Sequence, residues 1–349
     1  MTFCSMLILT ACRTESPEIS LAGKWTFSLD PKDVGMKQSW FNSELKDTIN
    51  LPGSLQEQGK GYDVSLKTQW TGQIVDSAWY TAPKYEKYRQ PGNIKVPFWL
   101  NPDKHYVGVA WYQKKINIPA GWEKRPVILE LERTHWETTL FLDGKAMGKN
   151  NSLQTPQRYL LNNLDAGEHT LTLRVDNRLN IDVGMNAHSV SDHTQSNWNG
   201  IVGDIKLTAQ PTLYIESVEI HPNIRTKQAK VKVWLKGKTT EGLSKLSFHP
   251  LTPEGKAVGF HVEQIFNPAQ NSNMIEATVD LGENAALWSE YTPHFYKMNV
   301  VLESPAGRDE VTSNFGLREF KANGTRFEIN GRPIFLRGTL ECCIFVSSL

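Results

Sequence analysis

The chain has 349 residues, 38 Lys and Arg against 37 Asp and Glu, and a net charge of +1, so neither a basic field for nucleic acid nor an acidic excess for disorder is present. At 39% hydrophobic and 21% charged it has the composition of a globular protein too long for one small core, and two domains with flanks are expected. The four Cys lie at positions 4, 12, 342 and 343, which excludes an internal disulfide framework or a Cys zinc site from the body between them.

Residues 1–18 read as a signal and tether. Leu7-Ile-Leu-Thr-Ala-Cys12 resembles the bacterial lipobox, in which the Cys is lipidated, and polar Arg13-Thr-Glu-Ser-Pro17 follows it. The apolar run is too short for a membrane span, and no Lys or Arg precedes it. The expectation is an exported bacterial protein, periplasmic or held at a membrane surface by an acyl chain on Cys12, with no other membrane contact.

From Ile19 onward the chain reads as strand after strand. Gly108-Val-Ala-Trp-Tyr-Gln-Lys-Lys-Ile-Asn-Ile-Pro119 alternates, with Val109, Trp111, Gln113 and Lys115 on one face. Val127–Leu131 and Thr139–Leu142 frame His135 and Trp136, and Asp143-Gly144 supplies a tight turn. Leu171, Leu173 and Val175 share one face of a strand expected to be half-buried. The stretch from Gln56 to Asn101 is polar, carries Pro83, Pro91 and Pro97, and is expected to form long loops of functional use. A first domain is placed at 19–210. A second β unit at 211–318 has alternating strands at Leu213–Ile220, Val231–Leu235, Ile275–Leu281 and Tyr296–Leu302, the pattern of an immunoglobulin-like sandwich without a disulfide. Residues 319–349 contain two Asn-Gly turns, at Asn323 and Asn330.

Four blocks, in order, resemble glycoside hydrolase family 2. They are Trp111-Tyr-Gln-Lys-Lys115; Trp198-Asn-Gly-Ile-Val-Gly-Asp-Ile-Lys-Leu207; Leu287-Trp-Ser289 with Pro293 and Phe295-Tyr296; and Asn314-Phe-Gly-Leu-Arg-Glu319 with Asn330-Gly-Arg-Pro-Ile334 and Leu336-Arg-Gly338. The resemblance implies an all-β chain: a galactose-binding-like jelly-roll, then the immunoglobulin-like sandwich, then the first strand of a TIM barrel at 319–349. It also implies retaining hydrolysis of β-glycosides by two Glu roughly 5 Å apart on later barrel strands. After Gly338 the family's Asn and His positions hold Leu340 and Cys342, so that sugar contact is not carried over, and Glu341 is not read as a catalyst. The chain is therefore expected to be a non-catalytic N-terminal portion, inactive by itself; a surface carbohydrate-binding lipoprotein is the alternative, and a purely structural sandwich pair a third reading.

Sugar contact is expected in the segment before Gly200. The family's acidic position there falls on Thr194, with Asp192 two residues earlier. Asp192, His193, Thr194, Asn197 and Trp198 supply donors, acceptors and a stacking face together, as a carbohydrate (oligosaccharide or β-glycoside) partner requires. The other reading of the same residues is a polar loop capping its own backbone. Asp182, His188, Asp192 and His193 match no coordination spacing, so no metal and no cofactor is assigned. His135 and Trp136 read as packing residues, and Glu130 and Glu132 as one solvated strand face.

Overall fold

The computed structural model describes residues 18–70, 78–95, 103–153, 155–162, 164–180, 197–237, 242–269 and 273–338. These divide into two compact units meeting in sequence at Thr208 and Ala209. Among the described residues strand is the dominant regular structure, as the alternating sequence pattern demands. Among the described residues, α-helix is confined to Ala78–Thr81, and no helix is long and apolar enough to cross a membrane.

The first unit contains β1 (Glu18–Ser20), β2 (Gly23–Asp30), β3 (Asp47–Leu51), β4 (Gly53–Ser54), β5 (Tyr62–Asp63), β6 (Lys104–His105), β7 (Val109–Ile118), β8 (Val127–His135), β9 (Glu137–Leu142), β10 (Lys145–Asn150), β11 (Gln157–Leu161), β12 (Gly167–Asp176) and β13 (Gly200–Ala209). One sheet runs β10-β9-β12-β7-β2-β3; the other runs β1-β13-β8-β11, with β4 also on β13. Leu171, Leu173 and Val175 of β12 and Leu129, Leu131 and Leu207 of the second sheet are all inaccessible to solvent. Polar bonds join the sheets as well: Gln157 and Tyr159 of β11 meet the Thr138 hydroxyl of β9.

The half-buried expectation for β12 fails in an instructive way. Its outward residues Thr172, Arg174 and Asp176 are buried too. The segment between β2 and β3 folds back over this face, setting Trp40, Phe41 and Leu45 against Val109, Trp111 and Phe141. Phe41 stacks on Phe141 at 4.4 Å with the rings 2° from parallel. A β-strand's own pattern reports which face meets the other sheet. It is silent about a loop arriving from elsewhere in the chain.

The second unit contains β14 (Leu213–Asn223), β15 (Gln228–Gly237), β16 (Ser244–Leu251), β17 (Val262–Phe266), β18 (Met274–Asp280), β19 (Tyr296–Ser304), β20 (Gly307–Phe315), β21 (Phe320–Asn323), β22 (Arg326–Ile329) and β23 (Arg332–Ile334). Sheet β14-β15-β18 faces sheet β17-β16-β19-β20, three strands on four, in a two-sheet β-sandwich. Val231 and Val233 meet Phe248, Met298 and Val300 in a shared apolar core. Gly316 allows a close approach, since a Cβ there would lie 3.0 Å from Trp288, tighter than an ordinary contact. The guanidinium of Arg318 lies 4.5 Å over the same indole, so two of the sequence blocks named above are one packing unit. β21, β22 and β23 form a separate small sheet. Its second turn has the two positive φ values of an Asn-Gly hairpin, 53° at Asn330 and 77° at Gly331. In the first, Asn323 closes β21 and Gly324 opens the turn instead.

Candidate functional site

Three chain segments converge at one end of the first sandwich: the start of β7, the end of β12, and the approach to β13. Three buried Asn side chains lock them. Asn177 Oδ1 accepts from the Gly108 amide at 2.8 Å, and its Nδ2 donates to the Tyr106 carbonyl at 2.9 Å, the Trp198 carbonyl at 3.0 Å and Asn197 Oδ1 at 3.0 Å. Asn197 Nδ2 donates back to the Asn177 carbonyl at 2.8 Å. Asn199 Oδ1 accepts from the Tyr112 hydroxyl at 2.7 Å, while its Nδ2 donates to the Gly108 and Val175 carbonyls, each at 3.2 Å. Burial holds the Tyr112 hydroxyl protonated, well above the usual tyrosine range, so it serves as a donor. Asn suits this position because one side chain offers both donors and acceptors to the unpaired backbone groups of strand ends.

Gln56 adds a fourth strap, its Nε2 donating to the Asn197 carbonyl at 3.2 Å. Gly200 must be glycine here: φ is +153°, and a Cβ would sit 2.4 Å from the Gly53 carbonyl of β4. Asn177 and Asn197, on either side of residues 181–196 in the sequence, therefore belong to one fixed base.

His135 and Trp198 give that base an aromatic face. Their rings stack at 4.8 Å with 26° between planes, and His135 Nδ1 bonds the Trp198 carbonyl at 2.6 Å. His135 is buried and Trp198 half-buried. Next to them Trp136 Nε1 donates to the Arg178 carbonyl at 3.0 Å. Arg178 in turn bonds Asp176 at 2.6 Å and Asp33 at 2.7 Å, and Arg174 bonds Asp33 at 2.9 Å and Asp176 at 3.2 Å. Burial pushes the Asp33 and Asp176 carboxyls up, but bonds from the two guanidiniums outweigh it and hold both below the usual carboxylate range. Chiefly through its bond to Asp176, Arg178 is held more firmly protonated than usual.

Of the residues singled out in the sequence, Asn197 is buried with its amide committed to Asn177, and Trp198 presents a half-buried indole. Asp192, His193 and Thr194, like Cys12 at the N-terminus, lie outside the described residues. His135 and Trp136 are packing residues, as expected. Glu130 and Glu132 do share a face, and each has a partner: Arg158 at 2.6 Å and the Asp204 amide at 2.8 Å. Sequence reasoning missed Asn177, Arg178 and Asn199. A signal was present in Val175-Asp-Asn-Arg178, where polar residues close an apolar strand with no turn glycine. Among the described residues no group of three or more His, Cys, Asp or Glu could hold a metal ion.

Residues 19–211 match the sugar binding domain of glycosyl hydrolases family 2, and residues 213–318 match a second description, glycosyl hydrolases family 2. The chain belongs to glycoside hydrolase family 2. It is 20% identical over 337 residues to a β-glucuronidase of Paenibacillus borealis, covering 91% of this chain and 48% of that protein. A β-galactosidase of Priestia megaterium is 22% identical over 335 residues, covering 91% of this chain and 30% of the relative. Among solved structures, a β-glucuronidase from Ruminococcus gnavus in complex with D-glucuronic acid shares the fold, with a TM-score of 0.64 at 18% identity over 94% of this chain and 50% of that one. The chain thus spans half or less of these relatives. Within it, two family 2 blocks distant in sequence are joined directly, because Tyr112 of Trp111-Tyr-Gln bonds Asn199 of Trp198-Asn-Gly.

Proposed function

We propose that this chain is the sugar-facing, non-catalytic N-terminal portion of a retaining β-glycosidase. The relatives are a β-glucuronidase and β-galactosidases, so the substrate class is a β-glycoside of a hexose or a hexuronic acid. One observation supports the reading: the Asn177–Asn197–Asn199 lock ties together the described residues on either side of positions 192–194 in the sequence, and Trp198 stacks on His135 there. A sugar-contacting segment needs such a base, since contacts made by a loose loop lose affinity to ordering. The retaining reaction would use the family's two Glu on barrel strands, outside the matched residues 19–318.

Two measurements test it. The purified 349-residue chain should release no nitrophenol from p-nitrophenyl β-glucuronide or β-galactoside above a blank; turnover would refute the non-catalytic assignment. In affinity electrophoresis with glucuronide- or galactoside-bearing polymers, retardation of the chain alone that weakens about five-fold in Trp198→Ala, the worth of one aromatic contact, would favour the lectin-like alternative instead. At the N-terminus we propose export and acylation at Cys12; alkyne–palmitate labelling in a bacterial host should mark the wild type and not Cys12→Ser.

A further inference from the structure

The outward face of the six-stranded sheet is only half covered. Trp40, Phe41 and Leu45 close the half above Val109 and Trp111. Gln113 marks the limit: its Nε2 donates to the Ser43 carbonyl and the Thr172 hydroxyl, both at 3.1 Å, tying the covering segment to the sheet. Beyond this row a cleft of about 690 Å³ opens, inside the usual range of ligand sites. Thr26, Gln113 and Thr170 of the sheet line it, with Phe41–Glu44 and the Asp143-Gly144 turn as two walls that meet where Asn42 approaches Gly144. Lys115 is six residues from Val109 along β7, so the cleft lies about 20 Å from the Asn-locked end.

We propose that this cleft is a second carbohydrate site, taking an uncharged oligosaccharide. Its wall mixes an apolar edge with hydroxyl-matching groups: Phe41 lines it beside exposed Asn42, Ser43 and Glu44. Phe41 is preorganised by its stack on Phe141. Opposite, the Asp143 carboxylate is held in place by the Thr170 amide at 2.7 Å and by His169 at 2.6 Å. The lining is of mixed sign, Lys24, Lys114 and Lys115 with Glu44 and Asp143, and Lys115 is paired with Glu168 and Asp143 with His169, so an ionic polymer would meet like charges as well as opposite ones. Nor is the lining apolar enough for a lipid. The inference shares its ligand chemistry with the proposed function and none of its residues.

The test uses the 349-residue chain with cellohexaose, xylohexaose, β-1,4-galactohexaose and hexagalacturonate as probes, read by calorimetry and by amide hydrogen exchange. A neutral hexaose should slow exchange in peptides spanning 40–46 and 142–146. Its dissociation constant should rise about ten-fold or more in both Ser43→Trp, which fills the cleft, and Glu44→Ala, and stay unchanged in Trp198→Ala. Both positions are exposed, so wild-type melting temperatures are expected in the variants. The proposal is overturned by absence of neutral-sugar protection at about 10 mM, by affinity lost only in Trp198→Ala, or by binding confined to hexagalacturonate and abolished by salt.

Discussion

The two sandwiches bury different kinds of interior. Among the described residues the first buries fourteen polar or charged side chains and the second only three, Ser244, Ser247 and Asp309. The second follows the plain rule of period-2 strands around an apolar core. The first spends its polar residues where strand ends, a covering segment and a long connection must be held in one arrangement. A buried polar network adds little net stability when satisfied and costs heavily when broken. It fixes geometry in a way interchangeable Leu and Val cannot.

The largest effect that would sharpen this contrast is Asn199→Ala. It strips the acceptor from the buried Tyr112 hydroxyl and one donor each from the Gly108 and Val175 carbonyls, of which Gly108 keeps the Asn177 amide at 3.4 Å. At ~1–3 kcal/mol for a buried group left unpaired, the first sandwich should lose about 2–3 kcal/mol. Urea unfolding followed by tryptophan fluorescence and by hydrogen exchange on 213–318 peptides should show an early first-unit transition and an unmoved second one. Equal loss in both units would mean that the lock serves the whole chain and not one end of it.

Legibility in the sequence followed the same division. Alternation placed the β15, β18 and β19 cores correctly, because Val231, Val233, Ile275, Ala277, Val300 and Leu302 each face the opposite sheet, as a period of two dictates. Hidden were the contacts made across long separations. Asp30 bonding the Trp111 indole 81 residues away, or Asn199 bonding Tyr112 across 87, leaves no local pattern to read. Asn197 was singled out for sugar and is committed to Asn177 instead, since a side chain's donors look identical in sequence whether they face a ligand or a neighbour.

Acid should separate the two interiors with opposite signs. Asp33 and Asp176 titrate below their unfolded value near 3.8, so their stabilisation is present above that pH and is lost as pH falls through the folded values. Asp309 is the reverse case. Desolvation raises it above 3.8 despite the Ile215 amide at 2.7 Å, so the folded second unit binds an extra proton and gains stability as pH falls through the raised value. Exposed Glu263 and Glu276, held low by Lys245 and Lys230, slope the other way. The difference between wild type and Asp309→Asn therefore isolates the buried group. The amide still accepts from Ile215 without a buried charge, so near pH 7 the variant should be equal or more stable, by about 1 kcal/mol, and should lose the acid-side gain. Destabilisation at pH 7 would show that the carboxylate is a paired asset like those of the first unit.

The smallest effect lies at the end of the first sandwich away from the lock. Burial would push the His169 imidazole down, but bonds to Asp143 at 2.6 Å and to the Asp165 carbonyl at 2.9 Å outweigh this and raise it above 6.5. A raised histidine stabilises fully below its unfolded value, and that contribution disappears as pH rises through the folded one. Asp143 is 51% exposed, so solvent screening limits the contribution to about 0.5 kcal/mol or less. Imidazole proton shifts followed from pH 5 to 9 should give a titration midpoint above 6.5 that falls in Asp143→Asn. The melting temperature of the first unit should decline slightly through the same pH range in the wild type and stay level in the variant. A midpoint unaffected by Asp143→Asn would leave that carboxylate unpinned, and the second cleft would then lack one of its two fixed walls.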